Sequence, residues 1–410
     1  MKKLIKKYST VFTKKFSKRR KKGVALLLVI VIISILIPIV TDMNYESQTE
    51  FEMAMNYKRK AEARVLAKSA AHFATIVFDL QSQLEKTLES FGVGRSFEIW
   101  DIVPFDTVLL RTFVEAGPFA DMENLVGQRG VRDGNNGSSG ETDTSSANEA
   151  FYARDGDPVF EFPGNFRLEF ENEDTKINLN NISYGTRNVV ISMLEAIIEP
   201  DIYDFLFVDN TSRREYVDRM ELIQNIVDWV DTDNERYDDG EKYRGGGDEQ
   251  SLYDSFEPRV KVKNARFDTV DELRMIYGVT DVVYRLLKPY ITIFSTGKIN
   301  INKASPRMIE AIIRNYAQDK SLTMFYDDIA MREFLGKILA GRARDGFDTV
   351  DGFMKICAEN EVVLDKGVKD VVDTEGNVYR IRAVGEKQGV ESWIEMIVDK
   401  KGNIYYYRQG

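Results

Sequence analysis

From Val24 to Val40 the chain runs through seventeen residues in which only Ser34 and Pro38 interrupt the aliphatic side chains. That is the short end of the length needed to span a bilayer. Beyond it the period changes. Apolar residues recur at helical spacing through Ala61, Val65, Leu66, Ala70, Phe73, Ile76, Val77 and Leu80. From Val24 to Ser90 there is no Gly and one Pro, and strong helix formers dominate. The pattern predicts one helix of roughly 65 residues, about 100 Å long. Its first part lies in lipid, with a bend at Pro38 where it emerges. No heptad is sustained. Ala67, Ala70, Ala71 and Ala74 suit close packing of the Ala61–Leu84 stretch on a sheet.

Farther on, Val159–Phe162 and Phe166–Glu171 alternate apolar and polar positions, as half-buried strands do. So do Tyr379–Val384, Ser392–Val398 and Asn403–Tyr407, with Gly385 and Lys401-Gly402 read as the turns between them. Residues 127–148 are rich in Gly, Ser, Asn and Thr and read as a solvated loop. From about 185 to 360 the pattern is mainly helical, so strands flank a helical insertion. Two echoes mark it. Lys176-Ile177-Asn178-Leu179-Asn180 resembles Lys298-Ile299-Asn300-Ile301-Asn302, and Phe267-Asp268-Thr269-Val270-Asp271 recurs at Phe347–Asp351. Asp268 or Thr269 is placed to cap a following helix, and the paired Asn to satisfy backbone where a strand turns. Two related helical units follow, from duplication or from convergent capping.

Charge sharpens the picture at both ends. Eleven Lys and Arg, and no acid, precede Gly23. The other 45 basic residues face 66 acids, leaving the remainder near −21. Such a body is a poor binder of phosphate backbones. The basic block would hold the N-terminus in the cytoplasm. A secretory signal is cut after its apolar run, yet no small-residue site follows Val40. The Lys-Lys-Gly23-Val24 junction instead resembles a type IV pilin-like leader, cut before the run. On these residues alone, that leader and a permanent single anchor stand level. One Cys (Cys357) excludes an internal disulfide framework, and one His (His72), on a helix face, excludes most His-based sites. There is no G-x-S-x-G elbow, H-E-x-x-H or glycine-rich phosphate loop.

Taken in order, several segments are similar to the general secretion pathway protein K (GspK) family, minor pseudopilins of the type II secretion system. They are the Gly23–Leu28 leader, Ala61–Ala67, the Lys176–Asn180 turn, Val227–Asp233, Asn264–Leu273, Tyr290–Thr292, Ile299–Asn302 and Tyr379–Gly385. The resemblance implies an α+β fold: a long transmembrane and stem helix on an antiparallel pilin-like sheet, with a large helical insertion, SAM-like or helix-hairpin-helix-like. The expected parts are a leader (1–23), a membrane segment (24–41), a stem (42–90) and a first sheet portion (91–184). The insertion (185–360), with its acidic loop (228–257), and closing strands (361–410) follow. The implied role is non-enzymatic, at the tip of the pseudopilus, initiating its assembly and secretion across the outer membrane. The implied location is the inner membrane, single-pass, with a periplasmic body. Implied partners are I- and J-type minor pseudopilins, the prepilin peptidase and the inner-membrane platform.

Site residues follow from the resemblance. Cleavage falls between Gly23 and Val24, with N-methylation of Val24. Leu28 stands where most pilin-like chains carry Glu, as suits a subunit with none above it. Asp228, Asp231, Asp233, Asp238, Asp239, Glu241, Asp248 and Glu249 crowd a glycine-containing loop. The loop reads either as solvated acid or as a hard-cation site. The family resemblance points to calcium, held by Asp231, Asp233, Asp248 and Glu249, with Asp228 ending a helix. Partner helices are expected at Tyr57, Ala61, Arg64 and Val65. The alternative function is a membrane-anchored nucleic-acid receptor, from the helix-hairpin-helix flavour of Lys298–Ser305.

Overall fold

With no glycine beyond residue 23 to break it, the N-terminal pattern folds as one helix, α1, Lys2–Ser90. It begins before the expected Val24 and passes Gly23 and Pro38 without interruption. The computed structural model describes residues 2–90, 98–110, 164–184, 186–207, 218–254 and 257–410, with backbone alone at 2–24, 88–90, 183–184 and 344–345. The loop 127–148 and the strand expected at 159–162 lie outside the described residues.

The far half of α1 lies on a four-stranded sheet in the order β1-β6-β7-β8, antiparallel throughout. The strands are β1 (Asn165–Asn172), β6 (Val378–Lys387), β7 (Val390–Asp399) and β8 (Ile404–Gln409). Ala67, Ala70, Ala71, Ala74 and Val77 form the buried helix face, against Phe166, Leu168, Ile381, Ala383, Ile394, Met396 and Val398. Small side chains let the helix axis come close to the sheet. Gly385 completes the fit and is not the turn expected from sequence. It sits inside β6, where a Cβ would lie 2.2 Å from the Ala63 carbonyl oxygen. The actual turn is Gln388-Gly389, both at positive φ, as two-residue hairpins require. Trp100 stacks on Phe78 and Phe170 at centroid distances of 5.1 and 4.8 Å and seals one end of this core.

The chain leaves the sheet after Asn172 and returns at Val378, a wider excursion than residues 185–360. Inside it the two echoes become two units of matching order. In the first, β2 (Ile177–Asn178) runs parallel to β3 (Ile291–Thr292); in the second, β4 (Ile299–Asn300) runs parallel to β5 (Val372–Asp373). The Asn180 amide accepts from the Phe267 N–H (2.8 Å) and donates to its carbonyl (3.1 Å). Asn302 does the same to Phe347, at 2.7 and 2.9 Å. Thr269 and Thr349 then cap the next helical turns, as the repeated Phe-Asp-Thr-Val-Asp suggests. The first unit carries α2 (Arg187–Ile198), α3 (Arg219–Val230) and α4 (Asp281–Leu287). The second carries α5 (Pro306–Tyr316), α6 (Asp328–Asp345) and α7 (Val350–Glu359). The units differ at one joint. Only Gly346 separates α6 from Phe347, whereas residues 231–266 separate α3 from Phe267.

At the root of the excursion, buried Asp174 accepts four bonds. They come from the Thr296 N–H (2.7 Å) and hydroxyl (2.9 Å) and from the N–H groups of Asn377 (2.6 Å) and Val378 (2.9 Å). Its neighbour Glu173 is fully buried and pairs with Arg380 Nε (2.7 Å) and Lys176 Nζ (3.2 Å), and accepts from the Thr292 hydroxyl. One acidic pair thus ties the exit, the joint between units and the return.

Candidate metal centre

Helix α3 places the acidic loop. Asp218 caps its start, accepting from the Glu221 N–H at 2.7 Å. Leu222, Ile223, Ile226, Val227 and Val230 enter the core, and the polar positions between them are buried too. Gln224 donates to the Tyr237 carbonyl (2.6 Å), and Asn225 to that of Tyr277 (3.0 Å). Asp228 accepts from the Tyr237 N–H (2.7 Å). Arg236 reaches back over this face to Gln224 and Asn225, both at 3.0 Å, and pairs with Asp228 at 3.7 Å. Asp228 therefore fastens the loop from inside the helix. The helix itself ends two residues later, at Val230, with Asp231 as its C-cap.

The loop then folds back beside itself. Glu235 bridges Asp248, Arg236 N–H donates to the Gly247 carbonyl and Glu249 N–H donates to that of Asn234, both at 3.3 Å. This pairing carries Glu249 beside the end of α3. Asp231, Asp233 and Glu249 offer carboxylate oxygens all within 4.8 Å of one another. Three of the four ligands expected from sequence are thus brought together. Asp248 is not among them. It is exposed, and its carboxylate caps the turn Glu249–Leu252 by accepting from the Gln250 N–H.

The electrostatics of the cluster are unbalanced. Glu249 is 1% exposed, and neither of its oxygens has a hydrogen-bond partner; Asp231 Oδ1 has none either, and Asp228 Oδ2 has only the ion pair with Arg236. Burial pushes Glu249 up to about 8, with repulsion from Asp228, Asp231, Asp233 and Asp248 adding to it. Burial takes Asp228 to about 7 against the pull of the Tyr237 N–H and Arg236. Asp231 rises to about 6, from burial and then Asp233, with Arg187 opposing at 3.6 Å. Buried unpaired carboxylates are costly unless neutralised or bound to a cation. An all-oxygen donor set of this kind fits a hard divalent ion such as calcium. Arg187, Arg236 and the buried Asp228 border the site, and sequence reasoning did not assign them to it. Spacing alone gives no sign of their burial.

This loop lies inside the segment recognised by comparison. A family model described as type II secretion system (T2SS), protein K, matches residues 175–296. Residues 175–296 are therefore similar to that family over its protein K segment. The chain is 30% identical over 149 residues to the type II secretion system protein K of Pectobacterium carotovorum subsp. carotovorum. It is 27% identical over 139 residues to a protein K homologue of Escherichia coli (strain K12). These stretches are 35% and 33% of this chain, and the chain spans only 42% and 36% of those relatives' lengths. Among solved structures, the GspK-GspI-GspJ complex of the enterotoxigenic Escherichia coli type 2 secretion system contains a chain that matches at a TM-score of 0.43 and 16% identity, covering 60% of this chain and 80% of that one. The matched segment comprises the first helical unit and its acidic loop. The partner contacts expected on α1 lie outside it: Tyr57, Ala61, Arg64 and Val65 are all exposed on the stem.

Proposed function

We propose that the chain is a non-enzymatic minor pseudopilin of a type II secretion system, at the tip of the pseudopilus, where it helps initiate assembly. Its body is periplasmic and its N-terminus cytoplasmic, with α1 as the inner-membrane anchor. The observation that carries this reading is the division of labour along α1. Ala25 to Gln48 are exposed throughout, in a helix whose most apolar stretch has a mean hydropathy of 2.8. The Ala63–Gln81 stretch is bedded on the sheet. On the side away from the sheet, Tyr57, Val65, Ile76 and Leu80 stay exposed. An apolar stripe of this kind supports side-by-side packing with the helices of I- and J-type subunits.

In this reading the prepilin peptidase cuts between Gly23 and Val24, and Val24 is then N-methylated. Calcium is held by Asp231, Asp233 and Glu249; when bound, it would supply the positive charge that these carboxylates lack. The nucleic-acid alternative gains no support. The Asn180 and Asn302 amides of the repeated turns are engaged by the chain's own Phe267 and Phe347 backbone.

The test is a photo-crosslinker at Val65 of the full chain in secreting cells, with the mature mass measured alongside. The expected result is a mature chain beginning at Val24 and an adduct with an I- or J-type subunit. Gly23→Ala should leave the unprocessed mass. A correctly processed chain with no adduct to either subunit would remove the proposed contact. A chain that keeps its basic arm in working cells would remove the pseudopilin reading.

A further inference from the structure

The loop 231–266 has to be closed by itself, because its counterpart in the second unit is the single residue Gly346. All three carboxylates lie within it. Asp231 is fixed by the end of α3, whereas Asp233 and Glu249 depend on how the loop is held. Asn264, near the loop's exit, reaches back to its entry. It has positive φ (47°), and its side-chain amide donates to the Asp233 carbonyl and to Asn234 Oδ1 (2.9 Å). Its own Oδ1 is buried without a hydrogen-bond partner. The Asn234 carbonyl in turn accepts the Glu249 N–H. One amide therefore grips the two-residue segment from which Asp233 projects and on which Glu249 hangs. The preceding residue secures the grip. Lys263 pairs with Asp268 and Glu272, both at 2.7 Å, at the capped turn that begins the next helix.

We propose that Asn264 is a positioning residue of the cation site, holding Asp233 and Glu249 in register with Asp231. The proposal rests on the calcium reading above. That cluster is itself marked as a ligand site by Glu249, whose two buried oxygens are unpartnered. Asn264 acts through the loop backbone and is not assigned as a ligand.

The experiment is calorimetric titration of the detergent-solubilised full chain with calcium chloride, paired with melting curves in chelator. Asn264→Gly keeps the positive φ that glycine adopts freely and removes the amide. It should weaken calcium binding by about tenfold or more, the usual cost of losing a group that orients metal ligands. Its melting temperature in chelator should stay near that of the unchanged chain. Calcium binding equal to the unchanged chain's, with Asp231→Asn abolishing it, overturns the role of Asn264 and leaves the cation site standing. No binding by the unchanged chain overturns the cation site and this proposal with it. Equal destabilisation of Asn264→Gly in chelator and in calcium makes the residue a general loop clasp and overturns the proposal. Should Asn264→Gly fail to fold, Asn234→Ala removes one acceptor of the same amide, and an unchanged calcium affinity there overturns it too.

Discussion

Two glutamates lie at almost the same depth in this chain, Glu173 at 0% and Glu249 at 1% exposure, and their surroundings are opposite. Burial pushes Glu173 upward, but Lys176, Arg380 and the Thr292 hydroxyl more than offset it, so its carboxyl ends below the ordinary range. Glu249 meets only further acids and is driven up to about 8. The first site is complete within the chain. The second is complete only with a proton or a cation. Depth therefore does not separate a structural acid from a candidate ligand; the sign of the neighbouring charge does.

The largest effect should come from spoiling the complete site. Glu173→Gln leaves Lys176 and Arg380 without their buried partner and should cost about 3–5 kcal/mol, read by urea unfolding. A loss near zero would show that the junction is not held by this pair. Next is the cation. Calcium at about one hundred times its dissociation constant should stabilise the unchanged chain by about 2.7 kcal/mol. Asp231→Asn should lose that gain, and identical melting in calcium and chelator would leave only a solvated acidic loop. Smaller and opposite in sign, Glu249→Gln in chelator at pH 9 should stabilise by about 1 kcal/mol, through removal of an unpaired buried charge. Destabilisation there would mean that the carboxylate has a partner after all.

The two sites should also part company with pH. Glu173 has a lowered value, so its stability is present above the ordinary carboxylate range and is lost as pH falls through that lowered value. Glu249 behaves conversely in chelator. The folded chain keeps its proton up to about 8 while the unfolded chain releases it near 4.5, so stability falls as pH rises across that interval. Glu249→Gln should make the fall between pH 5 and 8 shallower, leaving the part due to Asp228 and Asp231, and Glu173→Gln should make the acid limb shallower. A wild-type slope that rises between pH 5 and 8 in chelator, unaltered by Glu249→Gln, would contradict the contrast.

Much of this was legible from sequence, and the failures have physical causes. Ala67, Ala70, Ala71 and Ala74 announced the sheet-facing side of α1, and the repeated Asn pairs announced the two units. Asp248 stands outside the cluster because it is the N-cap of the turn Glu249–Leu252: its carboxylate is taken by the Gln250 N–H, while Glu249, the first residue of that turn, is buried. Gly385 was read as a turn, although glycine inside an alternating strand pattern can equally mark a close backbone approach, as it does here. Glu173 and Asp174 gave no warning. In sequence Glu-Asp-Thr reads as an ordinary polar connection, and the partners that bury it, Thr296, Asn377 and Arg380, are more than a hundred residues away.

The pairing of β1 with β6 has a further meaning. Asn172 lies opposite Tyr379 in that ladder, so residues 173–377, for all their helices, join adjacent ends of neighbouring antiparallel strands. Topologically they are an overgrown hairpin loop. A short artificial turn from Asn172 to Tyr379 would leave a plain up-and-down meander under the helix. Both helical units can be regarded as cargo mounted on a smaller platform whose strand order they never disturb.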